Sequence, residues 1–197
     1  MGIEYELKFR ANPAVQAAIL EQIPGEDRIF TMETTYYDTP TGQLSARRYT
    51  LRRRMENDTA ICTLKAPEKG AGRGEWEIPC DRIEDAVPEL CKLGAPDGLL
   101  SLTQEGLIAV CGARFQRIAR TVIGENCTLE LAIDQGVLTG GGRELPLCEI
   151  EVELKCGMPE DCDRFAQALA RRFGLESEPL SKFRRALALY QGECVWN

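Results

Sequence analysis

The sequence opens on a strict two-residue alternation. In the first ten residues, Ile3, Tyr5, Leu7 and Phe9 share one parity, and Glu4, Glu6, Lys8 and Arg10 share the other. Successive side chains of an extended strand point to opposite faces. The segment therefore reads as a strand with one apolar face and one charged face. The charged face sets two carboxylates beside two cations. Carboxylates two residues apart can share a hard metal ion, and the cations beyond them can hold an anion that the metal also touches. Alternation alone is satisfied equally by a solvated outer face, so the rest of the chain has to decide.

The same pattern recurs on strand after strand. Arg52 and Arg54 share a parity, as do Thr63 and Lys65, and Arg73, Glu75 and Glu77. So do Glu130, Ala132 and Asp134, and Glu149, Glu151, Glu153 and Lys155, the last set opposite Ile150, Val152 and Leu154. Three glutamates at about 7 Å spacing along one face repel each other. A shared cation turns that repulsion into a ligand set. The acids cluster by strand (4–6, 130–134, 149–153) and so do the bases (52–54, 65, 120). A sheet that closes with these faces inward has one anionic wall and one cationic wall. That lumen suits a divalent metal and a polyphosphate together. Apolar faces would then pack outward against helices, the inverse of a usual small barrel.

Turn and cap signals place the other elements. Asn12-Pro13 starts a helix that Pro24-Gly25 stops. Residues 29–38, 49–56, 59–66, 74–80, 114–123, 127–134 and 145–155 read as strands, with hairpins at Asn57-Asp58 and Gly124-Asn126. Residues 81–112 are mixed and partly helical. Pro159 opens a helix that Gly174 ends, and a last helix follows Ser181, with Phe183, Leu187 and Tyr190 on its core face. Trp76, between Glu75 and Glu77, faces away from the lumen. Asp38 is expected to accept local backbone hydrogen bonds. The fold class is α+β: an eight-stranded antiparallel closed β-barrel, a tunnel with a charged lumen and helices packed outside, in a single domain over 1–197.

Composition narrows the chemistry. The chain has no histidine, which removes Ser-His and Cys-His pairs and histidine metal sites. Hard-cation chemistry on oxygen ligands survives that filter. The nine cysteines form no C-x-x-C pair and read as reduced thiols of a cytoplasmic protein. No signal peptide or membrane span is expected. A net charge of −7 disfavours nucleic acid as a partner, yet leaves room for a small anion in a local basic site.

Taken in order, Glu4-x-Glu6-x-Lys8, Tyr37-Asp38-Thr39, Leu51-Arg52-x-Arg54, Leu64-Lys65, Arg73-x-Glu75-x-Glu77, Glu130-x-x-x-Asp134, Glu149-x-Glu151-x-Glu153 and Ser181-Lys182 resemble the CYTH domain, the triphosphate tunnel metalloenzyme superfamily. The resemblance covers nearly the whole chain and rests on the order of eight motifs. It implies an eight-stranded tunnel that binds triphosphate compounds with Mg²⁺ or Mn²⁺. Carried over by position, Glu4, Glu6, Asp134, Glu149 and Glu151 are the implied metal ligands, with Glu130 and Glu153 as additional ones. Lys8, Arg52, Arg54, Lys65, Arg120 and Lys182 are the implied phosphate binders, with Arg117 as a second candidate for the Arg120 role. Glu75 and Glu77 would line the tunnel. Glu4, Glu6, Lys8, Arg52, Arg54 and Lys65 form the expected catalytic set. No appended helical phosphate-binding domain of the kind some relatives carry is expected.

The activity this implies is metal-dependent hydrolysis of tripolyphosphate or a small organic triphosphate such as ATP or thiamine triphosphate, releasing orthophosphate. Two alternatives stand beside it. One is a class IV-like adenylate cyclase that makes cyclic AMP and pyrophosphate from ATP. The other is a module that holds polyphosphate or nucleotide without turnover.

Overall fold

The computed structural model describes residues 5–67, 73–96 and 98–193, together with the backbone of residues 2–3. Ten strands form one antiparallel sheet. They are β1 (Gly2–Ile3), β2 (Glu6–Arg10), β3 (Arg28–Asp38), β4 (Thr50–Glu56), β5 (Thr59–Pro67), β6 (Arg73–Pro79), β7 (Ile108–Ile123), β8 (Thr128–Gly140), β9 (Arg143–Cys156) and β10 (Glu176–Ser177). Their order across the sheet is β1-β6-β5-β4-β3-β7-β8-β9-β2-β10.

The two edges meet at the N-terminal segment. β1 pairs with β6 through Gly2↔Glu75, and β2 pairs with β9 through Lys8↔Glu151. Ile3 and Glu6 are three residues apart, a reach of at most about 11 Å, so the sheet must curl until its edges are that close. Closure is incomplete, which corrects the expected eight-stranded closed barrel. β10 pairs with Phe9 and Arg10 at the edge of β2, β6 pairs with β1, and no pairing joins β6 to β2 among the described residues. The N-terminal strand is thus split between two partners.

Cross-strand register places the charges on the concave face. Tyr36↔Arg52, Arg52↔Thr63 and Thr63↔Glu77 run one way. Phe30↔Arg117, Arg117↔Asp134, Asp134↔Glu149 and Glu149↔Arg10 run the other. The convex face is apolar and helix-covered, as the alternation predicts. Leu51, Cys62, Leu64 and Trp76 pack under α3 (Ile83–Lys92) and the short α2 (Gln43–Ala46) and α4 (Leu99–Leu102). Phe9, Leu131, Ile133, Ile150 and Val152 pack under α1 (Pro13–Gln22) and α5 (Pro159–Phe173). Each fully buried Leu or Ile of this kind contributes about 1.5–3 kcal/mol. Asp38 behaves as its turn position predicts, accepting from the main-chain N–H groups of Thr39, Leu44 and Ser45.

One helix breaks the expected layering. α6 (Lys182–Gln191) packs against the concave face of β7 to β9. Its Phe183, Ala186, Leu187 and Leu189 join Met32, Tyr36, Phe115, Leu138, Leu145 and Leu147 in a third apolar cluster. Part of the lumen is therefore filled and apolar rather than charged. Ser181 caps the helix start, its Oγ accepting from Arg184 N, and Arg143 donates to Leu189 O at the other end. A cation there also complements the helix dipole. Gly140 permits the close docking: a Cβ added there would lie 2.4 Å from Ala186 O. Tyr190, expected on the core face, is 44% exposed.

Candidate active site

Arg52 and Arg54 project from β4 and Lys65 from β5, all onto the concave face. Glu75 on β6 stands between two of them, with Oε1 3.7 Å from Arg52 Nη2 and 3.4 Å from Lys65 Nζ. Arg54 Nη1 lies 3.2 Å from Glu56 Oε1. Glu77 accepts from Thr63 Oγ1 at 3.1 Å. The Nε atoms of Arg52 and Arg54 are buried and donate to no acceptor among the described residues. Burial, followed by the like charges of Arg52 and Arg117, pulls the Arg54 pKa below the usual guanidinium value. Buried donors under mutual repulsion form a wall that favours an anion.

The facing wall is acidic. Asp134 on β8 and Glu149 and Glu151 on β9 have carboxylate oxygens within 4.8 Å of one another. Three cations reach into this trio. Arg117 on β7 makes a two-pronged contact with Asp134, both bonds 2.7 Å, and a further 2.5 Å bond to Glu151. Lys182 Nζ lies 2.9 Å from Asp134, 2.8 Å from Glu149 and 2.6 Å from Glu151. Arg185 Nη2 lies 2.9 Å from Glu149. Glu149 Oε2 is close to two of these cations, yet both Glu149 oxygens are buried without an aligned hydrogen bond among the described residues.

The ionisation directions follow from this packing. Burial would raise the Glu151 pKa, but Lys182 and Arg117 outweigh it and hold the carboxyl well below the usual range. Burial would lower Lys182, but Asp134, Glu151 and Glu149 outweigh it and hold the ammonium charged, its pKa raised. Arg117 is raised in the same way by Glu151 and Asp134.

The remaining expected residues spread along the concave face. Glu6 pairs in register with Glu153, and Lys8 with Glu151. Lys8 Nζ lies 3.7 Å from Glu6. Lys155 Nζ bridges Glu153 at 2.7 Å and Glu130 at 3.8 Å, and Arg28 meets Glu130 at 2.6 Å. Glu130 and Glu153 thus belong to a rim with Lys155 and Arg28 and stand apart from the trio. Glu4 lies outside the described residues, as does the glycine-bearing stretch 68–72.

Arg120 is not a lumen residue. β7 pairs with β8 in unbroken register from Cys111 to Ile123, so parity holds along it and Arg117 and Arg120 face opposite ways. Arg120 packs on the convex side, 2.5 Å from Asp27 and bonded to the main-chain oxygens of Leu20 and Ile23, where it caps the end of α1. Arg117 takes the inward position.

Three residues of the site escape a motif reading. Gln16 on α1 is buried and its amide donates to the main-chain oxygens of Asp134 and Glu149 at 2.9 and 3.1 Å, tying the two acidic strands from behind. Arg185 joins Glu149 to Glu178, and Glu178, 2% exposed, accepts from Arg10 Nε at 2.8 Å. Arg185 lies one helical turn after Lys182, a spacing visible in the sequence. Glu178 and Gln16 carry no such signal, because their partners are more than 100 residues away or on another element.

An all-oxygen trio with two buried acceptors lacking aligned donors fits a hard divalent ion. Lys182 stands where the three carboxylates converge. No helix among the described residues is long and apolar enough to cross a membrane. The eight described cysteines are all free, and burial pushes the thiols of Cys62 and Cys111 up to about 12, so those two act as core residues.

Comparison with known proteins gives a concordant result. A family model described as the CYTH domain matches residues 2–187. The inorganic triphosphatase of Haemophilus influenzae is 28% identical over 194 residues, covering 94% of this chain and 54% of that protein. The chain thus spans about half the length of this curated relative. Among solved structures, a candidate adenylyl cyclase from Hippeastrum with a dominant triphosphatase activity superposes with a TM-score of 0.64 at 18% identity, covering 98% of each chain. The PH1819 protein of Pyrococcus horikoshii superposes at 0.61 and 22% identity, covering 95% of this chain and 99% of that one.

Proposed function

The chain belongs to the CYTH domain family, and from that premise we propose that it is a metal-dependent hydrolase of tripolyphosphate or a small organic triphosphate. The observation that carries this reading is the pairing of two opposed buried walls. Arg52 and Arg54 present buried Nε donors, and Glu149 presents buried oxygens, that have no aligned hydrogen bond among the described residues, within one curled sheet. A metal–triphosphate complex supplies both missing partners at once. The Haemophilus relative, an inorganic triphosphatase, supports the same substrate class.

The chain's own groups have defined tasks in this reading. Arg52, Arg54 and Lys65 hold the phosphate chain from one side, with Glu75 orienting Arg52 and Lys65. Lys8 and Arg117 approach from the acidic side. Positioned guanidinium and ammonium groups stabilise charge on the transferred phosphoryl group. Glu6, Asp134, Glu149 and Glu151, with Glu4, are the proposed ligands of Mg²⁺ or Mn²⁺, and the rim carboxylates Glu130 and Glu153 are not among them. Such an ion, when bound, offsets phosphate charge and acidifies a bound water. With no histidine in the chain, a concave-face carboxylate accepts the proton of the attacking water. The water oxygen bonds to the terminal phosphorus, the bridging P–O bond breaks, the diphosphate compound leaves with the bridging oxygen, and the transferred phosphoryl group with the water oxygen becomes orthophosphate.

The test is one assay with two substrates. Protein is incubated with tripolyphosphate or ATP, with Mg²⁺ and separately Mn²⁺, and orthophosphate and cyclic AMP are both measured. Metal-dependent orthophosphate release supports the hydrolase. Cyclic AMP with pyrophosphate, or tight binding without turnover, overturns it.

A further inference from the structure

Lys182 holds a position that a phosphate-binding residue would not be expected to hold. Its ammonium is held among carboxylates: Asp134, Glu149 and Glu151 lie 2.6–2.9 Å from it, and the Phe115 ring lies 5.4 Å away. With Arg117 and Arg185, it sets three cations against three carboxylates, so the trio is neutral as it stands. A divalent ion cannot join a neutral, filled cluster without displacing a cation. Arg117 is fixed to Asp134 by a two-pronged contact and to Glu151 by a third bond. Arg185 is tied on its far side to Glu178. Lys182 has neither restraint. It hangs on a flexible four-carbon stem at the first turn of a helix that is docked independently, through its apolar face and Arg143.

We propose that Lys182 is a resident counter-ion that competes with the divalent metal for the Asp134–Glu149–Glu151 cluster. In the metal-free protein it neutralises the trio. Arrival of the metal releases the ammonium from the trio while α6 stays docked, and the freed group then faces the lumen that receives the triphosphate. This inference rests on the reading that the acidic wall takes a divalent ion. It gives α6 a role beyond filling the lumen, since the helix carries a cation that loading with metal sets free.

Lys182→Met tests it, since the substitution keeps the stem and removes the charge. Binding of Mn²⁺ without substrate is measured by calorimetry, and melting is followed with and without Mn²⁺. The expected result is an affinity for Mn²⁺ about tenfold tighter than wild type, lower metal-free melting, and recovery of that melting on Mn²⁺ addition. Unchanged or weaker Mn²⁺ affinity in a folded variant overturns the inference alone, because wild-type binding would still support the metal reading. Failure of the wild type to bind Mn²⁺ overturns both. Should Lys182→Met not fold, the wild type itself is decisive. Its Lys182 ammonium ¹⁵N–¹H signal, protected in the metal-free protein, is expected to shift or exchange faster on Mg²⁺ addition. A signal that Mg²⁺ does not move overturns the inference.

Discussion

Glu178 sits between Arg10 and Arg185, out of solvent and off every motif. Burial acts to raise its pKa, but the bond from Arg10, the Leu180 N–H and the Arg185 charge win and lower it. A folded-state pKa below the unfolded value contributes stability above the unfolded value near 4.3, and that contribution is lost as pH falls through the folded one. Glu178→Gln is therefore expected to flatten the acid limb of the stability curve below about pH 4.5, read by melting at stepped pH. Glu178→Ala leaves the buried Arg185 with Glu149 as its remaining carboxylate partner and is expected to cost about 1–3 kcal/mol. A loss under 1 kcal/mol in denaturant titration would show that the pair of arginines finds other partners. At the substrate side, Arg52→Ala is expected to raise KM for tripolyphosphate about 10- to 100-fold, the weight of a charge-assisted hydrogen bond, while leaving Mn²⁺ affinity nearly unchanged. Equal KM in variant and wild type would remove Arg52 from the phosphate-binding wall.

Elements decide how these side chains meet. The β8–β9 hairpin approaches α6 through Gly140, where any side chain would overlap the Ala186 carbonyl and Tyr190 N. Gly140→Ala is expected to cost about 1–3 kcal/mol through forced displacement of backbone. Denaturant midpoints give that number directly, and a neutral substitution would mean that the hairpin can slide. Arg143→Ala, which removes the cap on Leu189 O, should cost less, about 0.3–1 kcal/mol. The difference between the two variants separates close packing from capping. The element level also shows the limit of pattern reading. Strand parity was legible from residues 149–155 because a two-residue period leaves only two choices. The same period could not choose between Arg117 and Arg120, since their opposite parities become inside and outside only once β7 is registered against β8. α6 was legible as an amphipathic helix from Phe183 and Leu187, but an apolar stripe packs as well inside a curled sheet as outside it.

The whole molecule is a curled sheet whose edges the N-terminal segment draws together and whose concave face α6 partly fills. A chain ending at Pro179 would expose Met32, Phe115, Leu138 and Leu147 and deprive the acidic trio of Lys182 and Arg185. Such a chain is expected to bind an apolar dye and lose cooperative melting. A sharp, dye-silent transition would show that the sheet stands without its inner helix. The charge alternation, the absence of imidazole ligands in a chain without histidine, and the apolar face that the outer helices cover were all determined by the sequence, because each is a property of composition or of neighbours along the chain. The split of the N-terminal strand between β6 and β9, the inward place of Arg117, the entry of α6 and the seating of Lys182 among three carboxylates were decided by tertiary structure alone. Each depends on which distant residues meet when the sheet curls, and no local period carries that information.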